Sequence, residues 1–87
     1  MKNTNEVELI FDSESINEGF ARVAVAAFMT RLNPTLEEVS DVKTAISEAV
    51  TNAIIHGYEG EIHKIKVSCA IRDKTLYVEV QDTGKGI

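Results

Sequence analysis

Two polar residues stand four positions apart in the stretch SEAVTNAIIHG, residues 47–57. In an α-helix this spacing brings the side chains of Glu48 and Asn52 to the same face, one turn apart. A carboxylate is a candidate general base. A carboxamide oxygen is a hard ligand that suits Mg²⁺, which takes few protein ligands and keeps several waters and phosphate oxygens. The spacing therefore predicts a base beside a magnesium ligand, and the alternative is an ordinary solvated helix face.

A second pattern closes the sequence, DTGKGI over residues 82–87. Asp82 follows a predicted strand, where its carboxylate can accept a hydrogen bond from an exocyclic amine such as that of adenine. Gly84 and Gly86 permit a close approach between the backbone and a flat ligand. The D-x-G-x-G pattern is common, so a plain turn is the alternative. The sequence contains no G-x-x-x-x-G-K-[ST] motif, which excludes a P-loop as the phosphate site.

The elements before the Glu48–Asn52 pair follow from shorter signals. A short apolar run over residues 7–11, VELIF, predicts a strand. Ser15 followed three residues later by Glu18 is a capping-box signature for a first helix. Asn33 and Pro34 end this helix, because the residue before a proline disfavours helical geometry. Five apolar residues recur at helical spacing along it: Ile16, Phe20, Val23, Ala27 and Phe28.

A second helix of about six turns carries the pair itself. Thr35 and Glu38 form another possible capping box, and Gly57 suits a left-handed C-terminal cap. Successive residues of a helix turn by about 100°, so Glu48 and Asn52 are predicted to lie nearly opposite the buried stripe. That stripe consists of Val39, Val42, Ile46, Ala49, Val50 and Ala53.

Beyond the next loop the hydrophobic period changes from that of a helix to two. Residues 64–72, KIKVSCAIR, and residues 75–81, TLYVEVQ, alternate apolar and polar side chains around a turn at Asp73-Lys74. This pattern predicts an antiparallel hairpin with one face for a core. Helices on one face of such a sheet make an α+β two-layer sandwich, here in the order β-α-α-β-β. We expect residues 1–87 to form a single domain.

Composition restricts the classes of function. The formal net charge of −5 argues against a protein that binds a nucleic-acid backbone, so no nucleic-acid partner is expected. The single cysteine, Cys69, excludes an internal disulfide and a cysteine-based zinc site, and its place in the alternation puts it in the core. No segment is long and apolar enough for a bilayer, and MKNTNEVE lacks the apolar core of a signal peptide. A cytoplasmic location is the default expectation.

The two histidines offer weaker signals. His56 falls in the last turn of the second helix, where the helix dipole favours a cation. It lacks the H-[ED]-x-x-x-P context of a phosphoacceptor histidine. His63 is predicted to be a loop residue.

The order of these motifs resembles a known fold family. The order resembles the N-box and first glycine box of the GHKL ATP-binding fold: a long helix with E-x-x-x-N, then a hairpin, then D-x-G-x-G. Gyrase, chaperone, histidine-kinase and mismatch-repair ATPases share this fold. Residues 20–28, residues 33–59 and the final DTGKGI are similar to the anti-sigma F factor family of spore-forming bacteria. This similarity covers nearly the whole chain, and SEAVTNAIIHGY is its most specific part.

The resemblance implies a dimeric serine kinase with ATP or ADP and Mg²⁺ as cofactors. Such a protein holds a sporulation sigma factor inactive and phosphorylates a serine of an anti-anti-sigma partner. Glu48 matches the catalytic carboxylate of the family, and Asn52 matches its magnesium ligand. Asp82 matches the aspartate that recognises adenine. Gly84 and Gly86 match the first glycine box.

Two residues of the first helix match positions that contact protein partners in this family. They are Glu18 and Arg22, one turn apart. Without the resemblance they would be an ordinary i,i+4 surface pair, worth roughly 0.2–0.5 kcal/mol.

The chain departs from the family pattern in two respects. Thr83 and Lys85 stand where an acidic and an aliphatic residue are expected, although the aspartate and both glycines remain. The family also continues into an ATP lid and a second glycine-rich box. We therefore expect residues 1–87 to be the front portion of the domain. By themselves they should be a weak nucleotide binder at best, an inactive kinase, and ordered mainly by pairing strand edges with a second copy.

Two other functions remain open from the sequence. A module that binds a protein partner through the first helix and the sheet edge would have no need of the paired E-x-x-x-N and D-x-G-x-G motifs. The ATP-binding part of a histidine kinase or chaperone would share those motifs. The missing phosphoacceptor motif and the short segment before the second helix count against that alternative.

Overall fold

The computed structural model describes residues 4–55 and 61–84, with side chains described up to residue 82. The element order confirms the predicted α+β fold with two helices and an antiparallel sheet. A short 3₁₀ turn separates the two helices. The elements are β1 (Thr4–Asp12), α1 (Ile16–Phe28), the 3₁₀ turn (Met29–Leu32), α2 (Leu36–Ile55), β2 (Lys64–Arg72) and β3 (Thr75–Gly84).

The three strands form one sheet in the order β1-β2-β3, with both neighbouring pairs antiparallel. β1 pairs with β2 from Thr4 opposite Arg72 to Asp12 opposite Lys64. The first strand is therefore longer than the predicted residues 7–11. Its polar ends were missed because backbone pairing to β2 does not require apolar side chains.

The hairpin of β2 and β3 turns at Asp73, which adopts a left-handed conformation with φ 58°. At its other end the register shifts: Ile65 lies opposite Asp82, whereas Lys64 lies opposite Gly84. Thr83 is therefore the extra residue of a bulge, which interrupts the ladder at the start of the glycine box.

The core lies between the helices and the odd-numbered residues of β2. Cys69 is among these buried residues, as predicted, and burial raises the pKa of its thiol, so the thiol stays protonated at neutral pH. Neither helix in the described ranges is long and apolar enough to cross a membrane. The core cluster consists of Phe11, Ala21, Val25, Ile46, Val50, Ile65, Val67 and Cys69.

α1 turns a different face to the core from the one marked by its larger apolar residues. Ala21 and Val25 are buried. In contrast, Ile16, Phe20 and Val23 are 80%, 58% and 59% exposed, and we call these three residues the outer row of α1. The helix is apolar on nearly every side, so the 3.6-residue period did not identify the buried face. The small Ala21 lets α1 approach its neighbours closely.

The two predicted capping boxes have different outcomes. At α2 the box is formed: the Thr35 N–H donates to Glu38 Oε1 at 2.8 Å, and the Glu38 N–H donates to Thr35 Oγ1 at 3.0 Å. At α1 the prediction is wrong, because the Ser15 side chain makes no capping hydrogen bond. Asn17 ties the start of α1 to β1 by donating from Nδ2 to the Asp12 carbonyl at 2.9 Å.

Replacing each predicted capping residue by alanine should destabilise the protein to different extents at the two helix starts. Thr35→Ala removes the hydroxyl that accepts the Glu38 N–H, and should lower the free energy of unfolding by about 1 kcal/mol. Ser15→Ala is the matched control, and should cost less than about 0.5 kcal/mol because no capping bond is lost. Urea unfolding midpoints of the whole encoded protein measure both. Equal losses in the two variants would contradict the assignment of the caps.

Candidate functional site

α2 presents Glu48 and Asn52 to solvent, on the side away from the core. Ile46 and Val50 are the buried residues of this helix, so each member of the pair lies two residues, or about 200°, from a buried side chain. Both members of the pair are exposed, as the periodicity predicted. Together with Ser47 and Thr51 they line an open depression of about 430 Å³.

Asp82 lies near the end of β3, and the structure brings it to the C-terminal end of α2. Its Oδ2 is 3.5 Å from Nε2 of His63. The same Nε2 is 3.2 Å from the carbonyl oxygen of Ala53, the residue that follows Asn52. The aspartate and the helix that carries the pair are therefore joined through one imidazole ring. Of the two predicted glycines, Gly84 ends β3. Gly86, the predicted helix cap Gly57 and His56 lie outside the described residues.

His63 is the site residue that the sequence interpretation missed. Its backbone lies in the loop before β2, as predicted, but its side chain is buried and the residue is 3% exposed. The His63 N–H donates to Ser13 Oγ at 3.0 Å, and the Ser13 N–H donates to the His63 carbonyl at 2.8 Å. A signal was available, because His63 continues the odd-numbered buried series of β2 by one step.

The residues matched to partner contacts are tied to α2. The Ser47 hydroxyl donates to Glu18 Oε2 at 2.7 Å, and the Nε of Arg22 lies 3.7 Å from the same oxygen. Ser47 immediately precedes Glu48. The Glu18 carboxylate is drawn away from the start of its own helix toward α2, which explains why it forms no capping box. The Nε atom of Arg22 is buried and has no hydrogen-bond partner within the described part of the chain.

A second depression lies between α1 and α2 and has a volume of about 590 Å³. Lys43 and Arg22 give it positive charge, while its other side chains are hydroxyls and the carboxylate of Glu48. It shares Ser47 and Glu48 with the depression around Asn52. A polar groove therefore runs from α1 to the candidate base. Its lining residues are Arg22, Ser40, Lys43, Thr44, Ser47 and Glu48.

The oxygen atoms near Asn52 suit a magnesium ion whose other ligands are mostly water and phosphate oxygens. Within the described ranges, no three His, Cys, Asp or Glu side chains converge as a metal cage. Mg²⁺ commonly uses one or two protein oxygens, together with water and substrate phosphates. The exposed carboxamide of Asn52 beside the Glu48 carboxylate supplies oxygens of this kind.

Comparison with known proteins decides the family. A model of the histidine kinase-like ATPase domain matches residues 11–87, a range that contains both the E-x-x-x-N and the D-x-G-x-G motifs. The chain belongs to the histidine kinase-like ATPase domain family. The superfamily predicted from the order of the motifs is confirmed.

The resemblance to anti-sigma F factors is confirmed as well. The chain is 55% identical over 87 residues to a protein named anti-sigma F factor from Thermoanaerobacter sp. (strain X514), covering 100% of this chain and 61% of the relative. A protein of the same name from Clostridium botulinum (strain Eklund 17B / Type B) is 58% identical over 84 residues, covering 95% and 59%. One from Oceanobacillus iheyensis is 51% identical over 84 residues, covering 95% and 58%. The chain spans less than two thirds of the length of the curated relatives it matches.

Proposed function

We propose that this chain carries the nucleotide-binding helix and first glycine box of an anti-sigma factor that is also an ATP-dependent serine kinase. The observation that carries the proposal is the order of groups along α2. Glu48 and Asn52 share its exposed face, and Asp82 meets its C-terminal end through His63. This order matches the parts of the reaction: an acceptor hydroxyl at Glu48, metal-bound phosphates at Asn52 and a purine base at Asp82.

In the proposed reaction the chain supplies positioning and one proton acceptor. Bound Mg²⁺ would neutralise charge on the phosphates. Asn52 Oδ1 would hold the metal, and the Asp82 carboxylate would accept a hydrogen bond from the adenine amine. Glu48 takes the proton of the attacking serine hydroxyl as the γ-phosphoryl group passes to the serine oxygen and ADP leaves. The open depression around Glu48 suits this role, because a serine on another protein can enter it.

α1 is the proposed surface for the protein partners. Its outer row, Ile16, Phe20 and Val23, exposes three large apolar side chains close together on one helix. Arg22 lies on another side of α1 from this row, next to Glu18, with a side chain that is 42% exposed; its planar guanidinium suits an acidic partner surface. The relatives named anti-sigma F factor support a sigma factor as one partner. We propose that it is a sporulation sigma factor, as the family resemblance implies. An anti-anti-sigma protein that presents its serine at the groove is the other.

A cytoplasmic homodimer remains part of the proposal.

A second candidate function, partner binding without a nucleotide, is favoured by the outer row of α1 alone. It gives no role to Glu48, Asn52 and Asp82, whereas the match to an ATPase domain supports a nucleotide.

Two single substitutions should separate the kinase from the anti-sigma activity. Glu48→Gln keeps the shape of the side chain and removes the base, so single-turnover phosphorylation of the anti-anti-sigma protein should fall by roughly 10²–10⁴-fold. Binding of the sigma factor should be retained. Arg22→Ala, in contrast, should weaken binding of the protein partners and leave ATP affinity unchanged.

The measurements are rapid-quench phosphorylation and titration calorimetry on the whole encoded protein. Glu37→Gln, a change at an exposed carboxylate in the first turn of α2, is the control for loss of negative charge. Near-normal phosphorylation by the Glu48→Gln variant would remove Glu48 from the role of base. Unchanged binding of both proteins to the Arg22→Ala variant would return Arg22 to a surface pair with Glu18.

Asn52 and Asp82 should differ in their dependence on magnesium. Asn52→Ala removes the metal ligand and should weaken ATP binding chiefly when Mg²⁺ is present. Asp82→Asn should weaken adenine nucleotides with or without the metal, since it removes the carboxylate that accepts from the amine. ATP titrations with Mg²⁺ and with EDTA measure both variants. Equal losses for the two variants under both conditions would mean that the roles are misassigned.

A further inference from the structure

We propose that His63 is a positioning residue for adenine recognition, whose ring holds the carboxylate of Asp82 against the last turns of α2. The proposal rests on the proposed function, in which Asp82 accepts a hydrogen bond from the adenine amine. It assigns a role in base selection to a residue that touches neither the base nor the metal.

The contacts of the imidazole ring place it between two parts of the site. Nε2 lies 3.2 Å from the Ala53 carbonyl oxygen and 3.5 Å from Asp82 Oδ2. Both oxygens are acceptors. In the tautomer with a hydrogen on Nε2, this N–H donates to the Ala53 carbonyl, and its partial positive charge faces Asp82 Oδ2 as a longer polar contact. One ring nitrogen thus connects the helix that carries Asn52 to the carboxylate on β3.

The ring is itself fixed from other directions. Nδ1 lies 3.2 Å from the Glu61 carbonyl oxygen, and it donates to that oxygen only in a ring with a hydrogen on both nitrogens, so in the Nε2–H tautomer other contacts hold the ring. The backbone of His63 exchanges two hydrogen bonds with Ser13, one in each direction, which attaches it to the segment between β1 and α1. The side chain is 1% exposed and packs next to the start of β2. A ring held in this way has little freedom to follow a moving carboxylate, so it can define where Asp82 stands.

Asp82 needs such an anchor because of its place in the sheet. It pairs opposite Ile65, directly before the register shift that puts Lys64 opposite Gly84. Regular pairing stops at this point, so the hydrogen bonds of the sheet restrain the backbone after Asp82 less than they restrain the middle of β3. The Asp82 side chain is 30% exposed, whereas the His63 side chain behind it is 1% exposed. The carboxylate therefore has a buried side that meets His63 and an open side that can meet a ligand.

The chemical consequence is confined to the base of the nucleotide. A carboxylate held at one place accepts from the amine of adenine and repels the carbonyl oxygen that inosine carries at the same ring position. If the carboxylate could swing away, both the attraction and the repulsion would weaken. Loss of the His63 ring contact should therefore reduce the preference for ATP over ITP, with less effect on the phosphate contacts at Asn52.

The test compares two replacements of His63 in the whole encoded protein. His63→Phe keeps a planar ring without a donor, and His63→Gln places an amide nitrogen near the position of Nε2. We expect the ratio of the ITP Kd to the ATP Kd, measured in EDTA, to fall about tenfold in His63→Phe, which loses the polar contact to the Asp82 carboxylate. His63→Gln should retain the wild-type ratio. Ser13→Ala removes one of the two hydrogen bonds to the His63 backbone and leaves the other and the ring contacts, so it should lower the thermal unfolding temperature while the ratio falls much less than in His63→Phe.

The possible results are distinguishable. A folded His63→Phe variant with the wild-type ratio would overturn the role of His63, and so would a ratio that falls equally in Ser13→Ala. A wild-type protein without any preference for ATP over ITP would overturn the proposed role of Asp82 instead. If His63→Phe does not fold, the comparison passes to His63→Gln and His63→Asn. The proposal requires the ratio to be kept in the first and lost in the second, and the opposite result contradicts it.

Discussion

The burial of Ile46 and Val50 fixes the rotation of α2, and the arrangement of the candidate site depends on that rotation. Burying a side chain of this kind contributes about 1.5–3 kcal/mol, so the core holds the helix in one orientation. With these two residues against the sheet, helical geometry directs Glu48 and Asn52 away from it. A rotation of one residue would place polar groups in the core without partners, which is costly. The exposure of the face that carries the candidate site is thus a consequence of packing on the opposite face.

A second connection runs from that face to the proposed partner surface. Glu18 accepts a hydrogen bond from Ser47 and lies beside Arg22. The Glu18–Arg22 pair that a partner would contact on α1 is therefore hydrogen-bonded to the residue that precedes Glu48. The groove lined by Arg22, Lys43 and Glu48 connects the proposed partner-contact residues of α1 to Glu48. Partner contact and phosphoryl transfer would then share one surface of the two helices, while the nucleotide base occupies the far end of α2.

The sequence predicted those parts of the fold in which a local signal and tertiary packing agree. Alternation along β2 and β3 specified the hairpin, and the Thr35–Glu38 box marked the start of α2 correctly. The prediction was wrong at α1. Ser15 has helical dihedral angles, φ −59° and ψ −29°, and its side chain makes no capping bond. The Glu18 carboxylate instead accepts from Ser47, a residue 29 positions away that no local pattern could indicate.

Two further features depended on information outside the local pattern. α1 is apolar on nearly every side, so periodicity could not choose between the outer row and the smaller residues Ala21 and Val25 that the core buries. His63 lies in a loop as predicted, but its burial follows from contacts with Ser13, Ala53 and Asp82 that only the fold brings together. The exposed face of α2 on which Glu48 and Asn52 lie was predicted correctly, because this helix has a strong periodic pattern. Asp82 lies near the end of β3, where the alternating pattern ends.

The central claim is that one adenine nucleotide lies along α2, with its base at Asp82 and its metal-bound phosphates at Asn52. A crystal structure of the whole encoded protein with Mg²⁺ and ADP tests it most directly. The account predicts the adenine amine at roughly 2.7–3.2 Å from an oxygen of Asp82. It also predicts Asn52 Oδ1 at about 2.0–2.1 Å from the metal. A nucleotide bound elsewhere, for example on the outer face of the sheet, or a metal held without Asn52, would contradict it.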